Sequence, residues 1–319
     1  MMSDKDGIAP LKIDEHNASR ECYLGGWKIV VFGGAGDMGQ LFMHWLEQCG
    51  ADAQAVDVRG REGVHIGSIV ELSAKTRELI GKATAVIMCT PESLIWQGLP
   101  AVAKTCVAGT LLIDTSSTKH QLMNATKDLS GDIEYLSLNP LFSPSLGFEN
   151  QNVAAINIHP GERSEVFLGF LSRRGATVST ISIDEHERAM AAAQVASHAA
   201  LLAYGGALQS LGYTISEHSN LSTPPQRTLL AMLARISAGS AHAYHDIQLS
   251  NRHAEEARKA LKVSLSELDN ALQTDITFSS LLEKIKSSFG QKLPYYLSHC
   301  ERIYQQSNAD HHGERSEGD

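Results

Sequence analysis

Long apolar runs are missing from this 319-residue chain. No stretch approaches the roughly 18 consecutive apolar residues of a membrane helix, so no membrane-spanning segment is expected. An excess of positive charge is missing too. Lys and Arg number 27 against 36 Asp and Glu, a net charge of −9, which leaves no general positive field to attract nucleic acid or an anionic membrane surface. Neither is expected as a partner. The five cysteines (Cys22, Cys49, Cys89, Cys106 and Cys300) are odd in number and include no CxxC pair. Neither a disulfide framework nor a zinc knuckle follows from them. There is no HExxH either, so no metal is expected. The opening MMSDKDGIAPLKIDEHN lacks the basic-then-apolar order of an export signal, and a cytoplasmic location is expected.

What is present is ordinary globular material, 43% hydrophobic and 20% charged, in a chain long enough for two domains of about 150 residues each. Residues 1–26 read as a polar arm. From Trp27 to residue 183, apolar runs rich in Val and Ile alternate with helical stretches: 27–33, 52–58, 84–90, 110–115, 133–139, 153–158 and 176–183. That alternation predicts an α/β domain with a mostly parallel sheet. From 184 to 306 the texture is Ala- and Leu-rich with helical periodicity and no strand-like alternation. After a first helix from about 184, further helices are predicted over 226–249 (entered through Pro224 and Pro225), 251–271, 274–289 and 293–306. Residues 307–319 read as a disordered tail.

The segment VVFGGAGDMGQLF places Gly34, Gly36 and Gly39, with Asp37 and Met38 between the last two, directly after a predicted strand and at the start of an amphipathic helix. This is the dinucleotide-binding fingerprint of a Rossmann domain. The first glycine permits a tight turn, the second lets backbone N–H groups approach a pyrophosphate, and the third lets helix and strand pack closely. The helix N-terminus then favours the phosphate charge. Eighteen residues beyond Gly39, Asp57 ends the second predicted strand, where a carboxylate would accept hydrogen bonds from ribose hydroxyls and favour NAD over NADP. Arg59, two residues on, would instead pair with a 2′-phosphate. Thr90 and Pro91 follow a later strand and are placed in the same crevice.

Three more segments carry polar residues: IDTSSTKHQL (113–122) with Ser116, Ser117 and Lys119, LSLNPLFSPSLGF (136–148), and DEHERAMAAAQVASHAAL (184–201), whose Gln194 and His198 share a helical face by i,i+4 spacing. Singly, each has a plain structural explanation: helix caps, a loop, a core histidine. Together with VVFGGAGDMGQLF and PPQRTLLAMLARISAGSAHAYHDIQLSN they resemble the prephenate dehydrogenases, and especially the dehydrogenase domain of the bifunctional chorismate mutase–prephenate dehydrogenases, from about Trp27 to Tyr304. With 26 residues ahead of the first strand, no mutase domain is expected before the glycine turn.

The resemblance implies a Rossmann domain followed by an all-helical domain that makes a homodimer. Its substrate is a cyclohexadiene dicarboxylate that loses hydride from C4 to NAD and carbon dioxide as the ring becomes aromatic. Bidentate arginine pairing suits the two carboxylates; by resemblance Arg235 and Arg227 occupy the substrate-side positions. Ser117 and Lys119 match the loop after the fourth strand of the family, Ser117 as a catalytic residue and Lys119 as a substrate contact; His198 matches an active-site histidine, and His186 a position near the domain junction with a mainly structural role. Gln194 is placed with Lys119 among the substrate-binding residues. Tyr244 and His245 complete the pocket wall or its packing.

One position departs. Where the family carries a histidine directly before the first proline of NPLFSP, this chain has Asn139. The family histidine takes the proton of a 4-hydroxyl as hydride leaves, a form of help contributing about 10²–10⁴-fold. An amide accepts a hydrogen bond but takes up no proton near neutral pH. A 4-amino group would not need that base, because its nitrogen lone pair donates more strongly. The expected substrate is therefore 4-amino-4-deoxyprephenate, giving 4-aminophenylpyruvate for specialised metabolism such as antibiotic biosynthesis. The alternatives are a prephenate or arogenate dehydrogenase of tyrosine biosynthesis, and a catalytically weakened cofactor-binding sensor.

Overall fold

The computed structural model describes Leu24–Ser316, except for the side chains of Ser219 and of 307–316. Most of the expected polar arm and residues 317–319 lie outside the described residues.

The chain divides into two compact units, one ending at Glu187 and the other starting at Arg188. The first is a sheet of eight strands: β1 (Lys28–Phe32), β2 (Asp52–Asp57), β3 (Val64–Ile66), β4 (Ala85–Met88), β5 (Leu111–Asp114), β6 (Glu134–Pro140), β7 (Asn152–His159) and β8 (Thr177–Thr180). Their order is β3-β2-β1-β4-β5-β6-β7-β8, and only the β6–β7 pairing is antiparallel. Helices α1 (Asp37–Gln48), α2 (Ala74–Gly81), α3 (Glu92–Thr105), α4 (Leu122–Thr126) and α5 (Glu162–Arg173) complete the unit. Period-2 alternation explains how β1 serves both faces. Ile29 and Val31 pack with Phe42 of α1 and Phe167 of α5, whereas Val30 and Phe32 pack with Ile80 of α2 and Leu99 of α3. A mostly parallel sheet covered on both faces needs continuous apolar strands, and β4 and β5 are buried at every residue.

The fold is α/β as expected, with one strand more than the sequence pattern predicts. β3 spans only three residues, too short to show a period. The division into units falls inside α6 (Ile183–Met190), four residues later than the change of texture.

The second unit is entirely helical. A π-helical segment, Ala191–Ala196, leads into α7 (Ser197–Ser210), followed by α8 (Ile215–His218), α9 (Pro224–Ala238), α10 (Ala241–Ser250), α11 (Ala254–Ala271), α12 (Asp275–Ser288) and α13 (Leu293–Ser316). The helix predicted over 226–249 is two helices. Tyr244 packs where a side chain on Gly239 would stand, and Ser240 caps α10 by accepting the Ala243 N–H at 3.3 Å. α13 is helical through 307–316, part of the expected tail.

Candidate functional site

β1 runs directly into the glycine turn, and the tightest bend is one residue earlier than the fingerprint suggests. Gly33 has φ +75° and its missing Cβ would strike the Cys89 carbonyl. Gly33, outside the GxGxxG pattern, makes the turn; the pair of adjacent glycines was the available signal. Gly34 instead admits β2, since a Cβ there would lie 2.5 Å from the Ala55 Cβ. A Cβ on Gly39 would collide with the Gly33 carbonyl, so the third glycine seats α1 on the turn. Gly36 is the N-cap of α1, with Asp37 exposed in the first turn and Met38 half-buried against the core.

Asp57 closes this turn. Its Oδ2 accepts the Ala35 N–H at 3.1 Å, and its Oδ1 accepts the Arg59 backbone N–H at 2.9 Å and the Arg59 Nε–H at 3.2 Å. Burial pushes the carboxyl up, and the Arg59 and Ala35 hydrogen bonds outweigh it, holding Asp57 below the usual carboxylate range. A cavity of about 350 Å³ opens beside it, lined among others by Gly33, Asp57, Arg59, Thr90, Pro91 and Leu94. It lies by the carboxyl ends of β1 and β4, where the strand order reverses, the place open α/β sheets use for ligands. The Thr90 hydroxyl is buried there without a partner. The side-chain-free turn, the acid and the orphaned hydroxyl fit a dinucleotide.

A second group gathers at the ends of β5 and β6, which pair with Asp114 opposite Ser137. Lys119, expected to meet the substrate, is completely buried. Its ammonium donates to the Ser116 carbonyl (2.7 Å), the Ser116 hydroxyl (3.0 Å) and the Leu138 carbonyl (2.9 Å), and lies 3.4 Å from Asp114 Oδ1. Burial pulls its pKa down, and Asp114 and Glu92 oppose that shift. With its donors spent inside the unit, Lys119 ties the 115–119 loop to β6. Tyr135 adds a hydrogen bond to Asp114 Oδ2 at 3.0 Å.

That loop brings Ser117 to Asn139. The Asn139 side chain, 1% exposed, donates through Nδ2 to the Ser117 carbonyl at 3.2 Å, and the same nitrogen lies 3.0 Å from His186 Nε2. His186 and Glu187 have no exposed surface. Burial depresses the His186 pKa, the neighbouring Glu187 resists, and Lys119 adds to the fall. Glu187 Oε1 also accepts the Lys119 backbone N–H at 2.9 Å. Glu187 was not singled out from the sequence; its place beside His186 in DEHER was the only hint.

The helical unit holds the remaining candidates. His198, half-buried in the first turn of α7, meets Tyr244 of α10 edge-on at 5.1 Å between ring centres. Its Nδ1 is buried without a partner, and burial lowers its pKa, so the ring is neutral near pH 7. Gln194 sits half-buried in the π-helical segment that leads into α7. Arg235 is exposed in the last turn of α9, where a cation also complements the helix dipole. Arg227 donates to the Ser222 carbonyl at 2.9 Å. His245 is exposed, 3.9 Å from Asp246.

The sheet order, the glycine turn and the acid ending β2 define a Rossmann dinucleotide-binding protein with a helical second unit. No protein-family model matches the chain. It is 30% identical, over 284 residues, to the 4-amino-4-deoxyprephenate dehydrogenase of Streptomyces pristinaespiralis, covering 87% of this chain and 96% of that protein. Its fold is similar to that of Aquifex aeolicus prephenate dehydrogenase in complex with hydroxyphenyl propionate and NAD+ (TM-score 0.58, 16% identity, 87% of this chain and 97% of that one). It is similar also to Synechocystis arogenate dehydrogenase (TM-score 0.56, 17% identity, 89% and 99%). The chain belongs to the prephenate dehydrogenase family.

Proposed function

We propose that this dehydrogenase uses NAD to oxidise and decarboxylate a prephenate-like cyclohexadiene bearing an amino group at C4, 4-amino-4-deoxyprephenate. The observation that carries the substrate assignment is Asn139, a buried amide at the position where the family resemblance calls for a proton-accepting histidine. The name of the S. pristinaespiralis relative supports it. The NAD+ bound in the A. aeolicus structure supports the cofactor, as do the glycine cradle, the unpaired Thr90 hydroxyl and Asp57.

NAD, when bound, accepts the hydride leaving C4. On the substrate, the bond from C1 to the ring carboxylate breaks, carbon dioxide departs, and the electron pair left behind completes the aromatic ring. No net proton is released. An amide at position 139 can hold the C4 substituent but cannot take its proton; a neutral amine needs no such help, because its lone pair drives the hydride out. In this reading Arg235 and Arg227 take the two carboxylates by charge-assisted hydrogen bonds. Gln194, His198, Tyr244 and Ser117 complete the set, and Lys119 positions Ser117 and Asn139.

The helical unit supports a homodimer as part of the same reading. Its buried core cluster contains Val195, Ile247 and Ala254, whereas Leu265 and Leu268 of α11, Leu272 at its C-cap, and Leu282 and Ile285 of α12 are exposed. In this reading those exposed apolar side chains support an interface with a second copy. No described helix is long and apolar enough to cross a membrane; the cytoplasm is the compartment this reading assigns.

The test is a comparison of initial rates with NAD and each substrate, following reduced cofactor. Faster turnover of the amino substrate than of prephenate is expected. Faster turnover of prephenate or arogenate would overturn the assignment, and tight NAD binding without turnover of any cyclohexadiene would make the protein a sensor.

A further inference from the structure

We infer that His186 is a positioning residue that fixes which end of the Asn139 amide is offered to the substrate, making position 139 a pure hydrogen-bond acceptor. The inference rests on the amino-substrate reading above and deepens it.

The Ser117 carbonyl only accepts, so the Asn139 atom 3.2 Å from it is the amide nitrogen. One N–H is thereby used. The second lies toward His186 Nε2, 3.0 Å away, and a nitrogen that receives an N–H must present a lone pair. His186 is therefore the Nδ1–H tautomer, with that proton on the side of Glu187 Oε1, 3.6 Å away. Burial, which disfavours an imidazolium, agrees.

Both amide hydrogens are thus committed, while Asn139 Oδ1 takes no hydrogen bond from the described residues and is not among the buried atoms lacking a partner. It is the polar atom of the side chain left for a ligand. The orientation matters because the amine lone pair must be free to push hydride from C4. An acceptor oxygen takes an N–H from the amine and leaves that lone pair to the ring. A reversed amide would donate into the lone pair and hold it back. A 4-hydroxyl can make the same hydrogen bond but gains no base from it.

The tautomer is read on the unmodified protein from the ¹⁵N chemical shifts of labelled His186. A protonated Nδ1 and a pyridine-type Nε2 are expected; a proton on Nε2 would overturn the inference. Kinetics give the consequence. His186→Leu should lower kcat on the amino substrate by about tenfold, the scale set by one released hydrogen bond. The Kd for NADH should stay within about twofold. His186→Gln, which restores an acceptor, should recover most of the loss. Equal kcat in His186→Leu and the parent would also sink the idea. The two readings fail separately: a parent enzyme that prefers prephenate defeats the substrate assignment whatever the tautomer, whereas preference for the amine with Nε2 protonated defeats only the role of His186.

Discussion

Lys119 Nζ lies 3.4 Å from Asp114 Oδ1, and neither side chain has any exposed surface. Removing one partner of such a pair leaves the other buried and uncompensated, at a cost of about 3–5 kcal/mol. Lys119→Met should therefore lower thermal stability sharply, and adding Asp114→Asn should restore part of it. A urea melt of the single and double variants checks this. Had Lys119 been a ligand-holding cation, the single variant would keep its stability and raise KM for the substrate.

Gly33 should prove as costly to replace as any glycine of the fingerprint. Gly33→Ala forces a side chain onto a backbone with φ +75° and against the Cys89 carbonyl, so it should cost more than about 1 kcal/mol and weaken NADH binding. Fluorescence titration with NADH, paired with a melt, measures both. An alanine variant that binds and melts like the parent would show that the turn tolerates a Cβ.

The Asp57–Arg59 pair bears on cofactor choice. Arg59 is 65% exposed at its side chain and bound to a carboxylate that is 5% exposed. Asp57→Ala removes the carboxylate proposed to take the ribose hydroxyls and frees the guanidinium for a 2′-phosphate. The kcat/KM ratio of NADP to NAD should rise on the order of tenfold or more, given the strength of charge-assisted pairing. No change would place the selectivity elsewhere.

Asn139→His should return proton acceptance to this position and raise turnover of prephenate, with general-base help setting an upper bound of about 10²–10⁴-fold. The incoming ring can donate to the Ser117 carbonyl and keep its other nitrogen for the substrate. Steady-state rates with prephenate decide it; the absence of any gain would mean that other pocket residues also exclude the hydroxyl substrate.

Acid should weaken the fold through His186. Its pKa is depressed below the ordinary 6.5 by burial, so below pH about 6.5 the unfolded chain binds a proton that the folded chain resists. The contribution is complete above pH 6.5 and is lost as pH falls through that value toward the depressed one. Urea melts at pH 7.5, 6.5 and 5.5, as the approximate span of histidine titration, should show a smaller acid loss in His186→Gln than in the parent.

Much of the α/β unit is legible in the sequence. β1, β2 and β4 through β8 fall within the Val- and Ile-rich runs or one or two residues of them, because a strand buried on both faces must be apolar along its length. β3 is not legible, being too short for a pattern, whereas the break at Gly239 has a local signal, a C-cap glycine followed by an N-cap serine, that helical periodicity alone passes over. Among the site residues, the glycines and Asp57 are legible through spacing, whereas the inward turn of Lys119 is not. A lysine in a loop of Ser and Thr looks the same on paper whether it faces a ligand or the core.

By itself the sequence determined the succession of strand, glycine turn, helix and acid that receives a dinucleotide, since each depends on neighbours within a few residues or on regular alternation. Only the tertiary structure decided that Gly33 takes the bend, that Lys119 is spent on Asp114 and Leu138, and that Asn139 meets a histidine 47 residues away. Those outcomes depend on the register of β5 against β6 and on where α6 sets His186, contacts made by packing over long separations that no local pattern records.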